Sequence, residues 1–191
     1  MLQSQTVNYH LLSGWLCRDQ VWEPLLQHLK PAPAHIHNWR EKEPVWNPRD
    51  IVFAHSLAAI RLLQRHLQGT LPPCARLILL AATDCLDNRP ACQAMIRALS
   101  HHPDQLRLNF AAACNAPPHL IATPQPEDQE ALRYLRDTDL RGQPLHLPPH
   151  IRCYHATQDQ IITHPLPNSI PIPAAGHLFP YTHAQTLAHT L

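Results

Sequence analysis

Glycine is scarce in this 191-residue chain, four residues against twenty-one prolines, so its connections are stiff. Long apolar runs are missing as well. The longest, Leu77 to Ala82, is far too short to span a bilayer. The start, Met1-Leu-Gln-Ser-Gln-Thr-Val-Asn, lacks the basic and apolar regions of a secretion signal. There is no excess of charge: the formal net charge is +1, which removes any global electrostatic attraction to nucleic acid or to an anionic membrane. Lysine is confined to Lys30 and Lys42, which reflects coding bias before function. Paired C-x-x-C spacing is absent too. Cys17, Cys74, Cys85, Cys92, Cys114 and Cys153 lie in apolar stretches, the pattern of buried free thiols in a reducing compartment rather than of a disulfide framework. The expectation is a cytoplasmic protein without nucleic-acid or membrane partners.

What is present is apolar substance. Hydrophobic residues make up 45% and charged residues 15%, a balance suited to one α/β domain over residues 1–191 with a large interior. Short β-type runs alternate with helical patterns, the signature of βαβ units around a mostly parallel sheet of about six strands. Strands are expected at 7–12, 35–39, 50–54, 76–82, 151–154 and 169–172. Trp22, Leu25, Leu26 and Leu29 form a helical stripe, Leu57 to Leu67 a second helix, and a closing helix is expected from about Thr182 to Leu191. From about residue 84 to 123 no strand signal interrupts the helical segments. This stretch is read as a helical lid, with residues 127–136 a helix returning to the sheet.

The segment Asp50-Ile-Val-Phe-Ala-His-Ser-Leu-Ala-Ala-Ile carries the chemistry. A strand runs directly into a helix with Ser56 at the junction. A serine there is presented on a sharp turn, with the Leu57 N–H facing a developing oxyanion at a helix N-terminus. The turn requires small residues on both sides, here Ala54 and Ala58. An ordinary N-cap is the competing reading of Ser56. Three other strand-end loops shift the balance. Ser13-Gly-Trp follows the first strand, where Gly14 permits an unusual turn and the Trp15 N–H is a second oxyanion donor. Asp159 stands in His155-Ala-Thr-Gln-Asp-Gln, and His177 in Pro173-Ala-Ala-Gly-His, each after a late strand. The order Ser, Asp, His is that of serine hydrolases built on such a sheet, with His177 as base and Asp159 as acid. Asp84, after the strand ending near Thr83, is the second-ranked acid.

With these residues in place, the chain resembles the α/β-hydrolase superfamily, and within it the pimeloyl-acyl-carrier-protein methyl ester esterases of biotin synthesis. The resemblance rests on Ser13-Gly-Trp, on Trp22 with Pro24-Leu, on Ala54-His-Ser-Leu-Ala, on Leu132 through Leu135 to Asp139-Leu-Arg, on Asp159-Gln-Ile-Ile and on Ala175-Gly-His, and covers nearly the whole chain. It implies cleavage of a small acyl ester or thioester without a cofactor, and admits an acyl carrier protein as partner. Three features depart from the family. Ser13 stands for the family's histidine, both elbow glycines are alanines, and the N-terminal antiparallel hairpin of larger members is truncated.

The lid is expected to roof the site with Leu86, Met95, Leu99, Leu106, Phe110 and Leu120. Gly14, Leu86 and Phe110 are the candidate substrate-contacting residues. Arg89, Arg97 and Arg107 face only Asp87 and Asp104 up to residue 124, but extending the window to residue 141 reverses the sign. Charge therefore does not single out an acidic carrier protein. His35 and His37 share a strand face and His101 adjoins His102, yet no third ligand stands at a recognised spacing, so no metal is expected. The rival from another class is a non-catalytic binding module with this fold, supported by the two elbow alanines.

Overall fold

The structure, a computed structural model, describes residues 6–29, 31–41, 44–86 and 89–190, with Arg89 described by its backbone alone. Lys30, Lys42, Asp87, the Arg89 side chain and the end of the closing helix at Leu191 lie outside the described residues.

Six parallel strands form one open sheet: β1 (Tyr9–Leu12), β2 (Ala34–His37), β3 (Ile51–His55), β4 (Arg76–Leu80), β5 (Ile151–Ala156) and β6 (Ile170–Ile172), in the order β2-β1-β3-β4-β5-β6. The central strands β1, β3 and β4 alternate their side chains between two interiors, as period-two geometry dictates. Leu11, Phe53, Ile78 and Leu80 meet Trp22 and, through Leu25, Phe179 and Leu187, the helices α1 (Glu23–His28), α6 (Phe179–Thr182) and α7 (Ala184–His189). Leu12, Val52, Ala54, Leu77 and Leu79 meet α2 (Leu57–Leu67) through Ala58, Ala59, Leu62 and Leu63. Burial on both faces explains why β4 reads Leu-Ile-Leu-Leu without polar alternation. The start of β3 is pinned by Asp50, whose buried carboxylate accepts from the N–H of Asn8 and Asn47, the Asn8 amide and the His10 ring.

The chain leaves β1 towards β2, then crosses to the other side of β1 for β3. The reversal opens a crevice between the carboxyl ends of β1 and β3, the place where open α/β sheets bind ligands. Over it lie α3 (Arg89–His101) and α4 (Pro103–Ala113), and α5 (Asp128–Asp137) packs on α3. The sequence reading sent the last of these helices back to the sheet. Its buried face of Ala131, Leu132 and Leu135 instead joins the cluster of Ile96, Leu99, Leu106 and Phe110 in the roof. The closing helix also differs: it is two short helices, broken at His183, whose φ of −125° and ψ of 32° leave helical geometry.

The rings of His10, His35 and His37 stack with centroids 5.3 to 6.4 Å apart, but among the described residues no group of three could hold a metal ion. No helix among them is long and apolar enough to cross a membrane. All six cysteines are free, five of them buried.

Phe53 is completely buried between Tyr9 and Trp22, with ring centroids 6.3 and 6.4 Å away. Phe53→Ala should lower unfolding stability by about 3–5 kcal/mol in urea titrations.

Candidate active site

Ser56 sits between β3 and α2 with φ 52° and ψ −115°, a conformation that a residue with a side chain adopts only when its surroundings enforce it. Two backbone bonds enforce it here. The Ser56 N–H donates to the Leu80 carbonyl at 2.8 Å, and the Ser56 carbonyl accepts from the Ile60 N–H at 3.0 Å, opening the helix. The hydroxyl caps nothing in α2, which removes the N-cap reading. It points instead to His177 Nε2, 3.1 Å away.

His177 is fully buried on the loop after β6, and its Nδ1 lies 2.7 Å from Asp159 Oδ2. The other carboxylate oxygen of Asp159 accepts from the N–H groups of Ile161 and Ile162 at 2.8 and 2.9 Å. Burial works to raise the Asp159 pKa, but the adjacent His177 ring and these donors outweigh it and hold the carboxyl below the usual carboxylate range. An ionised carboxylate only accepts, so the imidazole hydrogen is on Nδ1. Nε2 then presents its lone pair to the Ser56 hydroxyl. The arrangement can receive the serine proton at Nε2 and stabilise the resulting cation through Asp159. Both nitrogens of His177 are taken by Ser56 and Asp159, so Asp84 is not the partner of this histidine.

Gly14 is the contact between the loop after β1 and this turn. A Cβ added there would stand 2.9 Å from Ser56 Cβ, 2.9 Å from His55 Nδ1 and 3.1 Å from the His55 carbonyl. Its backbone thus touches the Ser56 turn, carrying the adjoining Trp15 N–H to the same place. Among the described residues, neither the Trp15 N–H nor the Leu57 N–H donates to a backbone carbonyl.

Ser56 is 7% exposed and opens into a slot that is continuous with solvent. Trp15, Leu86, Met95 and Phe110 line it, the Trp15 and Phe110 rings meeting edge to face at 4.9 Å. Leu99, Leu106 and Leu120, expected in the lining, pack in the interior of the roof instead. Gly14 is not in the lining either; it lies behind the Ser56 turn. The sequence reading missed Cys92 from α3, Leu132 and Leu135 from α5, and Gln160 and Ile161 from the loop of Asp159. Proximity to Asp159 was the available signal for the last two. Among the described residues the lining contains no charged side chain.

Beneath the site lies a residue that the sequence reading passed over. His55, wholly buried, has its pKa pulled down to about 3, by burial first and by its neighbour His177 second. It is a neutral ring, donating from Nε2 to the His177 carbonyl at 2.9 Å.

No protein-family model and no curated protein sequence matches the chain. Solved structures do match it in three dimensions. A hydrolase from Pseudomonas aeruginosa PA01 aligns with a TM-score of 0.75 at 15% identity, over 97% of this chain and 88% of its own. An esterase from Exiguobacterium antarcticum gives 0.74 at 13%, over 96% and 90%. BioG from Haemophilus influenzae gives 0.62 at 15%, over 92% and 91%. The fold is the α/β-hydrolase fold, with an open, parallel six-stranded sheet flanked by helices.

Two outcomes follow from this geometry. Gly14→Ala should lower the unfolding midpoint and slow labelling of Ser56 by a fluorophosphonate at least about tenfold, because the new methyl displaces the turn or the loop. His55 links folding to pH. Its pKa is 6.5 in the unfolded chain and about 3 in the fold, so the unfolded chain binds the extra proton between those values. The contribution is fully present above pH 6.5 and is lost as pH falls towards 3, at up to about 1.4 kcal/mol per pH unit. His55→Gln should remove this part of the slope. Its urea midpoints at pH 7 and pH 5 should therefore lie closer together than those of the wild type.

Proposed function

We propose that the protein is a serine esterase that cleaves a carboxylic ester or thioester, with Ser56 as nucleophile, His177 as base and Asp159 as acid. The single observation that carries this reading is the continuous chain Ser56 Oγ–His177 Nε2 and His177 Nδ1–Asp159 Oδ2, at 3.1 and 2.7 Å, opening into an apolar slot. Ser56 attacks the acyl carbon as His177 takes its proton. The N–H groups of Trp15 and Leu57 receive the oxyanion, each worth on the order of 3 kcal/mol in the transition state. His177 returns the proton to the leaving group, and water then releases the acyl group from Ser56 by the same steps in reverse. Neither step requires a cofactor or metal.

The slot supports an uncharged acyl chain. Entry of a free carboxylate there would meet no charged partner among the described lining residues, which is costly in an apolar site. The motif resemblance supports the methyl ester of pimeloyl-acyl-carrier protein as substrate, since a neutral ester end on an apolar chain matches such a lining. The fold likeness to two proteins described as an esterase and a hydrolase is consistent with the broader reading.

A fluorophosphonate probe with mass mapping tests the nucleophile. Label is expected on Ser56 and on no other residue, and none on Ser56→Ala. If the three residues act as one unit, Ser56→Ala should abolish hydrolysis of nitrophenyl esters as fully as Ser56→Ala with His177→Ala. Asp159→Asn should keep the fold and lose activity on the order of 10⁴-fold through the wrong histidine tautomer. Asp84→Asn should lose far less. Rates should hold or rise as the acyl chain lengthens from acetyl to medium length. Equal inertness of wild type and Ser56→Ala on short esters, thioesters and a carrier-linked methyl ester would replace catalysis with a non-catalytic binding role.

A further inference from the structure

We propose that His55 is a positioning residue that locks the His177 loop and the 13–17 loop to each other, holding the proposed base and one oxyanion donor in register with Ser56. The inference rests on the serine-esterase reading for its functional sense. The contacts themselves do not.

His55 is the last residue of β3, so its backbone is continuous with the Ser56 turn. Its ring takes no part in the proton path and is not in the slot lining. Every polar contact it makes leads to a loop of the site. Nε2–H donates to the His177 carbonyl at 2.9 Å, and the two imidazole rings lie 4.9 Å apart. With Nε2 as donor, Nδ1 is a lone pair. The Cys17 thiol lies 3.8 Å from that lone pair and 3.5 Å from the Trp15 carbonyl, and burial holds the thiol pKa up at about 12, so it keeps its hydrogen. The backbone of Gly14 closes over the same nitrogen. The Trp22 ring stands edge-on to His55 at 6.4 Å and donates its indole N–H to Ser13 Oγ at 2.9 Å. Residues 13, 14 and 17 therefore all bear on His55, directly or through Trp22, from one side, and His177 from another.

The competing reading is a core histidine that merely fills space and satisfies its nitrogens. The two readings separate on what substitutes for it. A phenyl ring fills the volume but donates nothing to the His177 carbonyl. Glutamine carries a donor at the reach of Nε2. Because the ring nitrogens are spent on the two loops, loss of the donor should misplace His177 rather than weaken substrate binding.

The test compares wild type, His55→Phe and His55→Gln in the full chain. In His55→Phe, kcat on a short nitrophenyl ester should fall about ten- to a hundredfold, with KM changed less than about twofold, and His55→Gln should recover most of the loss. The second readout is the low-field proton resonance of His177 Nδ1–H in its bond to Asp159, which needs no substrate. It should move or broaden in His55→Phe and stay at the wild-type position in His55→Gln. A folded His55→Phe protein with wild-type kcat and an unmoved resonance overturns the proposal. So does equal loss in both variants with the resonance unmoved, which marks packing alone. Should His55→Phe not fold, His55→Asn makes the comparison in a polar side chain, since its amide matches the reach of Nδ1 rather than Nε2. If wild type neither hydrolyses esters nor takes the fluorophosphonate, the esterase reading fails, and the resonance alone decides whether His55 positions His177.

Discussion

Position 14 has no side chain, and the geometry of the site depends on that. The loop after β1 lies in contact with the Ser56 turn at this residue. The space for a Cβ is already occupied by Ser56 and His55, with three atoms within 3.1 Å. Gly14 is needed here for close approach, not for a left-handed backbone. The positive-φ positions of the site region are filled by Leu16, Ser56, Ala81 and Ala174, while Gly69 and Gly142 take positive φ in open space away from it.

The Asp159 carboxylate stands in the buried chain, held by two backbone N–H groups and the His177 ring. The other buried histidine beneath it is kept neutral, so no second cation competes for the carboxylate. Desolvation acts on both residues in the direction of neutrality. It prevails in His55, which has no carboxylate to pair with, and fails in Asp159, which has a ring and two donors. The fixed tautomer of His177 follows from that difference.

Residues whose place in the fold follows from chain order and local pattern were legible in the sequence. β4 is apolar from Leu77 to Leu80 because both faces are covered there. The strand-to-helix junction at Ser56 and the loops of Asp159 and His177 each follow a strand with a clear pattern. Residues whose role depends on which neighbour they meet were not legible. Leu99, Leu106 and Leu120 lie on apolar faces, and periodicity says that such faces are buried without saying whether they border a slot or a core. Leu132 and Leu135 are the converse case, on a helix assigned to the sheet that instead turns to α3. The break at His183 left no glycine or proline signal at that position. His55 was hidden by its neighbour: adjacency to Ser56 says nothing about a carbonyl 122 positions further along the chain.

The elbow alanines, the clearest departure from the glycine-flanked pattern, find a physical reason in the packing. The left-handed conformation at the turn is carried by Ser56 itself, and neither Ala54 nor Ala58 has positive φ. Ala54 lies in β3 and Ala58 in the first turn of α2, and both methyls are buried in one cluster with Leu12, Leu62 and Leu79. A glycine at either place would leave that cluster short of a methyl group and loosen the unfolded chain, so alanine favours the folded state wherever the strand-to-helix distance tolerates it. The distance does tolerate it here, since Ala54 and Ala58 are buried while the Ser56 N–H still reaches the Leu80 carbonyl at 2.8 Å. The alanines therefore do not speak for a disabled turn. They tighten the packing of α2 on β3 and leave the conformation of Ser56 intact.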